Sequence, residues 1–503
     1  MHATIPDAAQ DVLQLFERTA ARHPDATAVI DRSGPCTYAR LHSRVRRVAA
    51  ALGPRPGTVG VLTDRSADTV AALLGVLAVG GTYCPIDPAF TVERKAVLAE
   101  TARLSRVIAT RPDPEPFGPP ILGPDPSGFP EVPFAADDTG SGPPWRPEDP
   151  AYVLFTSGST GRPKPVVTPR AAIAAAVDSL AEVLGIRSDD RVLQFASLNW
   201  DTSFEEILPT LTRGATLVFD DDAYAGSIPR LLRLIDRLAL SVLDLPTAFW
   251  HELVHHLAEA GSTALPESLR TVVIGGEAAN PVRLDNWRAL PGADRIRLVN
   301  TYGCTETTLV THAADLHGPR SRSRTGAPAP IGHALPHVSA LIDHNGELLI
   351  GGPSLALGYL DLPEVTAERF PTLAAGRFFR TGDLVRRSAD GELHHEGRLD
   401  DQLKVRGIRV DPAEVEAQLC AHPGVASAAA TGVATGDHTT VIAYVTPAPH
   451  SDGTDLVATL RSHLRRHSAS HLRPNRIIVV PELVHTASGK IDRRRTHQRY
   501  TSS

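Results

Sequence analysis

The sequence predicts an α/β protein in two parts: a large N-terminal region of α/β subdomains with mostly parallel sheets and a β-rich end, then a small α+β region. Three observations predict it. Between about residues 150 and 300, short β-type apolar runs alternate with amphipathic helical runs, the pattern of parallel sheet with helical crossovers. Near residue 330 the texture changes to hairpins: Asn345-Gly346 stands between Ala340-Leu341-Ile342 and Leu348-Leu349-Ile350, and Asp390-Gly391 gives a second turn signal. From about residue 401, helix and strand signals mix over the length of one small unit.

Taken in order, residues 11–52 read as helix, strand, helix. Residues 65–81 read as an apolar helix stopped by Gly80 and Gly81, with a strand at 82–87. A stretch rich in Pro, Gly and Asp at 112–150 reads as a long surface loop. The strand Tyr152-Val153-Leu154-Phe155 follows, and then a helix over 170–184 with Ile173, Val177, Leu180 and Leu184 on one face and Gly185 after it. Strands are predicted at 192–195, 215–219, 241–245, 271–274 and 296–299. The helix from Pro229 has Ser227 as cap and Leu231, Leu232, Ile235 and Leu238 inward. Asp411-Pro412-Ala413-Glu414 opens another helix with a capping-box pattern.

Composition narrows the function classes. At 503 residues a sizeable core is easily buried, and a net charge of -6 gives no reason to expect nucleic acid as a partner. Cys36, Cys84, Cys304 and Cys420 are scattered, with neither zinc spacing nor a disulfide framework. Residues 1–14 lack the basic-then-apolar order of a signal peptide, and the longest apolar run, 70–79, is too short to cross a bilayer. A cytoplasmic protein without a membrane partner is expected.

The chemistry-bearing stretches begin with Thr156-Ser157-Gly158-Ser159-Thr160-Gly161-Arg162-Pro163-Lys164, directly after a strand. Glycines admit a close ligand, and hydroxyls and free amides suit phosphate oxygens. A P-loop would need Lys immediately after the second Gly, and here Arg162 and Pro163 intervene. From these residues alone, phosphate binding and a plain surface loop stay equally open. Asn300-Thr301-Tyr302-Gly303-Cys304-Thr305-Glu306-Thr307 ends a predicted strand. A carboxylate beside an aromatic ring there suits a magnesium ligand beside a stacked base, against the alternative of a solvated loop Glu. Further on come Arg380-Thr381-Gly382-Asp383-Leu384, the run from Gly397 through Arg398, Asp400 and Lys404 to Gly407, and Ser488-Gly489-Lys490-Ile491-Asp492-Arg493.

Together with Gly80-Gly81-Thr82-Tyr83-Cys84-Pro85-Ile86-Asp87, Gly275-Gly276-Glu277 and residues 351–359, these motifs in this order resemble the adenylate-forming enzymes. Among them the chain looks like a stand-alone amino-acid adenylation enzyme of nonribosomal peptide assembly, over about residues 10–495. The resemblance implies ATP as cosubstrate and Mg2+. It implies that Thr156, Ser157, Gly158, Ser159, Thr160 and Gly161, closed by Lys164, hold the β- and γ-phosphates. Tyr302 would stack on adenine, Glu306 bind Mg2+, Asp383 accept from the ribose hydroxyls and Arg398 support the nucleotide. Gly276, Glu277, Asn300, Thr301 and Thr305 complete that site. Lys490 would reach in from a mobile C-terminal domain and hold carboxylate and α-phosphate together, both being anionic. The division implied is 1–399 and 400–503, with Asp400 as hinge and a face near Lys404 to Gly407 serving thioester formation.

The same resemblance assigns the acid pocket to Asp201, Thr202, Glu205, Ala248, Val273, Gly275, Thr301, Leu309 and Val310. Asp201 would pair with an α-ammonium group, which favours an amino acid over an aryl or fatty acid; it also stands where a helix cap would. Glu205 either selects a basic side chain or points away to solvent or backbone, and a small or medium neutral amino acid is the favoured substrate. A β-amino-acid-, aryl- or acyl-activating ligase and a nucleotide-binding regulator are the competing readings. Pro165, Pro169 and Cys304 depart from the family pattern. No carrier segment follows Lys490 before Ser503, so a separate carrier protein with a phosphopantetheine arm is the expected partner. Arg461, Arg465, Arg466, Arg473, Arg476 and Arg493 to Arg495 offer it a basic surface, unless that face is merely solvated.

Overall fold

Apolar β-type segments that are buried on both faces make strands of a parallel sheet, and the segment Thr271–Gly275 is such a case. It lies inside a nine-stranded sheet. The computed structural model describes residues 11–111, 115–122, 145–156, 163–259, 265–321, 328–400, 402–405, 407–436, 438–448, 455–485 and 491–501. Among these, the sheet order runs His333–Ala334, Val310–His317, Arg297–Gly303, Thr271–Gly275, Val242–Pro246, Arg191–Leu193, Thr216–Val218, Thr27–Asp31, Gly34–Thr37. Inner strands pair in parallel and the edges antiparallel.

A seven-stranded sheet runs Gly358–Tyr359, Lys164–Pro169, Pro150–Thr156, Thr82–Ile86, Thr58–Leu62, Leu104–Ala109, Ile121–Leu122. One apolar cluster joins the two sheets through the helices between them. It takes Val29 and Leu217 from the first sheet, Val61, Tyr152 and Leu154 from the second, and Phe16, Leu74, Val177 and Phe204 from helices. The buried Arg170 guanidinium bonds both Asp11 carboxylate oxygens at 2.8 and 2.9 Å, fixing the helix Arg170–Leu184 to the start of Val12–Arg22.

The predicted strands are present with bounds shifted by a few residues, and the predicted helix over 170–184 has those bounds. Two strands run against expectation. Gly34–Thr37 forms a hairpin with Thr27–Asp31, closed by Asp31 accepting from the Ser33 amide at 2.7 Å. Its Gly-Pro start is tolerated because it sits on the sheet edge. Ile121–Leu122, inside the predicted surface loop, adds a short parallel strand beside Leu104–Ala109.

The hairpins predicted near Asn345-Gly346 and Asp390-Gly391 form a further sheet, with Leu348, Ile350, Val385 and Leu393 packed behind Tyr302. The C-terminal residues hold the hairpin Leu403–Val405 with Ile408–Val410, the helix Pro412–Cys420, and a three-stranded sheet of Val425–Thr435, His438–Pro447 and Arg476–Val479. Asp411 caps Pro412–Cys420 by accepting from the Ala413 amide at 2.9 Å. No helix among the described residues is long and apolar enough to cross a membrane.

Candidate active site

The carboxyl ends of parallel strands are where open α/β sheets bind ligands. Here both large sheets direct such ends at one cavity of about 520 Å³. Thr156, Pro246, Gly275, Thr301 and Gly303 each lie at or near a strand end and line it. Gly303 has a geometric reason to be glycine: a Cβ there would stand 1.9 Å from the Leu309 carbonyl oxygen. The chain returns through Thr308 and Leu309, both left-handed at φ 58° and 59°, and so places Leu309 and Val310 on the cavity wall.

Asp383 and Glu306 are both buried, and each has a cation. Asp383 accepts from the Tyr302 hydroxyl and from Arg398 Nη1, both at 2.5 Å, and lies 3.2 Å from His395 Nε2. Burial opposes its ionisation, but His395, Lys404, Arg398 and Tyr302 outweigh burial and hold the carboxyl below its ordinary range. Arg398 also bonds both Asp400 oxygens, at 2.6 and 2.9 Å. Glu306, in the turn Thr305–Thr307, accepts from the Tyr359 hydroxyl at 2.8 Å and from Arg409 Nη1 at 3.2 and 3.1 Å. Burial again opposes ionisation, and Arg409 and Tyr359 hold the carboxyl low. A buried carboxylate already matched by a cation fits a site that exchanges one cation for another. No group of three or more His, Cys, Asp and Glu side chains among the described residues could hold a metal by itself. Glu306 therefore suits an Mg2+ carried in with phosphates, which needs only one or two protein carboxylates.

The C-terminal hairpin covers this end of the cavity. Lys404 Nζ lies 5.3 Å from the Tyr302 ring centroid. The Gly407 amide donates to Glu277 at 2.6 Å, and a Cβ on Gly276 would be 2.8 Å from Gly407 Cα. Tyr302 and Glu306, expected to touch nucleotide, consequently lie behind the cavity wall in this arrangement. Asn300 donates to the Pro330 carbonyl at 2.7 Å, and Lys164 pairs opposite Thr156 in the strand ladder. Cys304 carries a thiol pushed up to about 11 by burial and the nearby Asp383 and Glu306, so it is not a reactive thiolate. Residues 157–162 and Lys490 lie outside the described residues.

At the other end, Asp201, Thr202 and Glu205 line the cavity from the helix Thr202–Thr212. Asp201 makes no cap bond; its carboxyl is pushed up to about 6 by burial, against a hydrogen bond from Thr305. Of the paired glutamates it is Glu206 that turns to backbone, accepting from Phe195 and Ala196 amides at 2.8 and 3.0 Å and from Gln194 at 2.8 Å. Glu205 is left facing the cavity.

Two expected wall residues, Val273 and Ala248, do not line the cavity in this arrangement. Val273 packs with Leu180, Leu184 and Val299 and with the wall residue Val310, one layer behind the cavity surface. Ala248 is buried at the start of the helix Thr247–Glu259 and offers only a methyl. One wall residue escaped the sequence analysis. Asp244, 7% exposed, lines the cavity from Val242–Pro246, on the face opposite Leu243 and Leu245. A lone acid between leucines in a predicted strand was the available signal.

The family model of the AMP-binding enzyme matches residues 16–360, and that of the AMP-binding enzyme C-terminal domain matches residues 414–490. The chain is 42% identical over 500 residues to the isonitrile lipopeptide synthase of Streptomyces coeruleorubidus, covering 97% of this chain and 33% of that protein. It is 35% identical over 508 residues to the phosphinothricin tripeptide synthetase PhsC of Streptomyces viridochromogenes, covering 95% of this chain and 44% of that one. The chain thus spans less than half of either relative. A solved structure of a nonribosomal peptide synthetase protein with adenylation and PCP domains, bound to a vinylsulfonamide inhibitor, superposes with a TM-score of 0.82. It is 25% identical, with 98% of this chain and 84% of that chain covered.

Proposed function

The chain belongs to the AMP-binding enzymes, as an AMP-forming ligase of the nonribosomal peptide synthetase type, and we propose that it activates an α-amino acid as its aminoacyl adenylate and passes it to a carrier protein. The observation that carries the amino-acid half is Asp201. Its carboxylate is buried at the cavity and has no ion-pair partner among the described residues, so an α-ammonium group is the cation that completes it. The carrier half rests on the kinship with adenylation proteins joined to PCP domains.

In this reading Thr156, Lys164 and the residues between them hold the ATP phosphates. Tyr302 stacks on adenine, Asp383 accepts from ribose, and Arg398 steadies the nucleotide. Glu306 is the ligand for Mg2+, whose chemistry is to neutralise phosphate charge. Lys490 bridges the carboxylate and the α-phosphate, and the C-terminal domain, 400–503, turns about Asp400 relative to 1–399. The cover formed by Lys404, Gly407 and Arg409 supports a second working face, the one that meets the phosphopantetheine arm after adenylation.

Exchange of labelled pyrophosphate into ATP, run over α-amino acids, β-amino acids and simple carboxylic acids, tests the reading. An α-amino acid should stimulate exchange. Stimulation by a carboxylic acid lacking the amine, with no response to any amino acid, would overturn it.

A further inference from the structure

The acid end of the cavity holds two carboxylates that the roles above leave unused. Glu205 follows Asp201 by one helical turn, roughly 6 Å further along the axis. Asp244 comes from the neighbouring strand Val242–Pro246. Both line the cavity. Among the described residues neither takes part in a hydrogen bond or an ion pair. Buried carboxylates away from the cavity's acid end are treated differently: Asp11, Asp190 and Asp383 are each matched by an arginine, and Glu206 by amides.

An uncompensated buried carboxylate is costly, and a second one beside it more so. Burial, Asp244, Asp201 and Glu206 push the Glu205 carboxyl up, and burial pushes Asp244 up to about 7, with no lysine or arginine counteracting either. Such a pair is poorly suited to packing alone. It is well suited to receiving a cation that the protein does not supply.

Resting on the amino-acid reading above, we propose that Glu205 and Asp244 together bind a terminal ammonium group, so that the acid activated is a diamino acid whose second amine stands a few methylenes from the α-carbon. Asp201 takes the α-ammonium, and the pair one turn away takes the other. An ammonium presents three rotatable donors and can divide them between two carboxylates, whereas a guanidinium matches one carboxylate edge-on. A neutral side chain would leave both carboxyls buried against it without a donor. This takes the basic side chain that the sequence left open for Glu205 over the small or medium neutral one it favoured.

The test is amino-acid-dependent pyrophosphate exchange with lysine and ornithine beside their neutral counterparts norleucine and norvaline, with arginine as a further arm. Lysine or ornithine is expected to exceed its neutral counterpart by tenfold or more in kcat/KM. Asp244→Asn and Glu205→Gln should each shrink that ratio by tenfold or more, chiefly by raising KM for the diamino acid. Because the wild-type preference is read without any variant, a failure of either variant to fold leaves the test intact. Preference for a neutral amino acid or for arginine would overturn the diamino assignment while leaving amino-acid activation standing, as would an unchanged ratio in both folded variants. Exchange with carboxylic acids alone would remove the reading beneath it as well.

Discussion

Asp244 illustrates what a single residue's surroundings decide. Its carboxyl titrates near 3.9 in an unfolded chain and is pushed up to about 7 in the fold by burial. Between those values the native chain holds a proton that the unfolded chain has released. Stability therefore falls as pH rises through that window, and is lowest above it. Asn cannot titrate. Thermal unfolding of the free enzyme should show Asp244→Asn little different from wild type near roughly pH 4 and more stable by a few degrees near roughly pH 8. A constant difference across that range would show that Asp244 is already compensated. A second acid of the pocket, Asp201, predicts a change in selectivity. Asp201→Asn removes the proposed α-ammonium partner, and exchange should lose its preference for amino acids over the matching carboxylic acids. Unchanged preference would place amine recognition elsewhere. Asp201 was legible because it stands in a recognisable motif, Trp200-Asp201-Thr202-Ser203-Phe204-Glu205-Glu206. Asp244 was not, because its meaning depends on which face of a strand meets the cavity.

The same contrast holds for whole elements. The helix Arg170–Leu184 is announced by its period and by Gly185, whose left-handed backbone ends it, and the structure has the predicted bounds. The edge strand Gly34–Thr37 carries no β signature of its own and exists because Thr27–Asp31 offers it a ladder. The hairpin of Leu403–Val405 and Ile408–Val410 is the element with most consequence for chemistry. It brings Arg409 to Glu306, a pairing between distant segments that sequence spacing does not reveal. Arg409→Met would leave Glu306 buried with the Tyr359 hydroxyl but without that cation, and so disfavour the present seating of the hairpin. Transfer from a preformed aminoacyl adenylate to a holo carrier protein should fall by tenfold or more, with pyrophosphate exchange changed less. Equal losses in the two assays would mean that Arg409 serves both faces or the fold as a whole.

At the scale of the molecule, the observed covering of the cavity and the proposed nucleotide site are incompatible. Lys404 occupies the face of Tyr302, and Arg409 occupies the carboxylate of Glu306. A nucleotide stacked on Tyr302 and a metal on Glu306 would need both places. The hairpin cannot remain where it is while ATP binds as proposed, and rotation of the C-terminal domain is the economical way to clear it. Rotation also brings a different surface to the cavity, and Lys490 is the residue proposed to arrive with it. The two half-reactions should then separate under mutation. Lys490→Ala is expected to lower amino-acid-dependent pyrophosphate exchange by a hundredfold or more, because a cation between two anions in the transition state is lost. The same variant, given preformed aminoacyl adenylate and a holo carrier protein, should load the carrier at a rate within a few-fold of wild type, since the covering proposed for this step uses Lys404, Gly407 and Arg409 instead. If Lys490→Ala lost both activities in equal measure, one fixed arrangement would have to perform both steps. The covering seen over Tyr302 and Glu306 would then need another explanation.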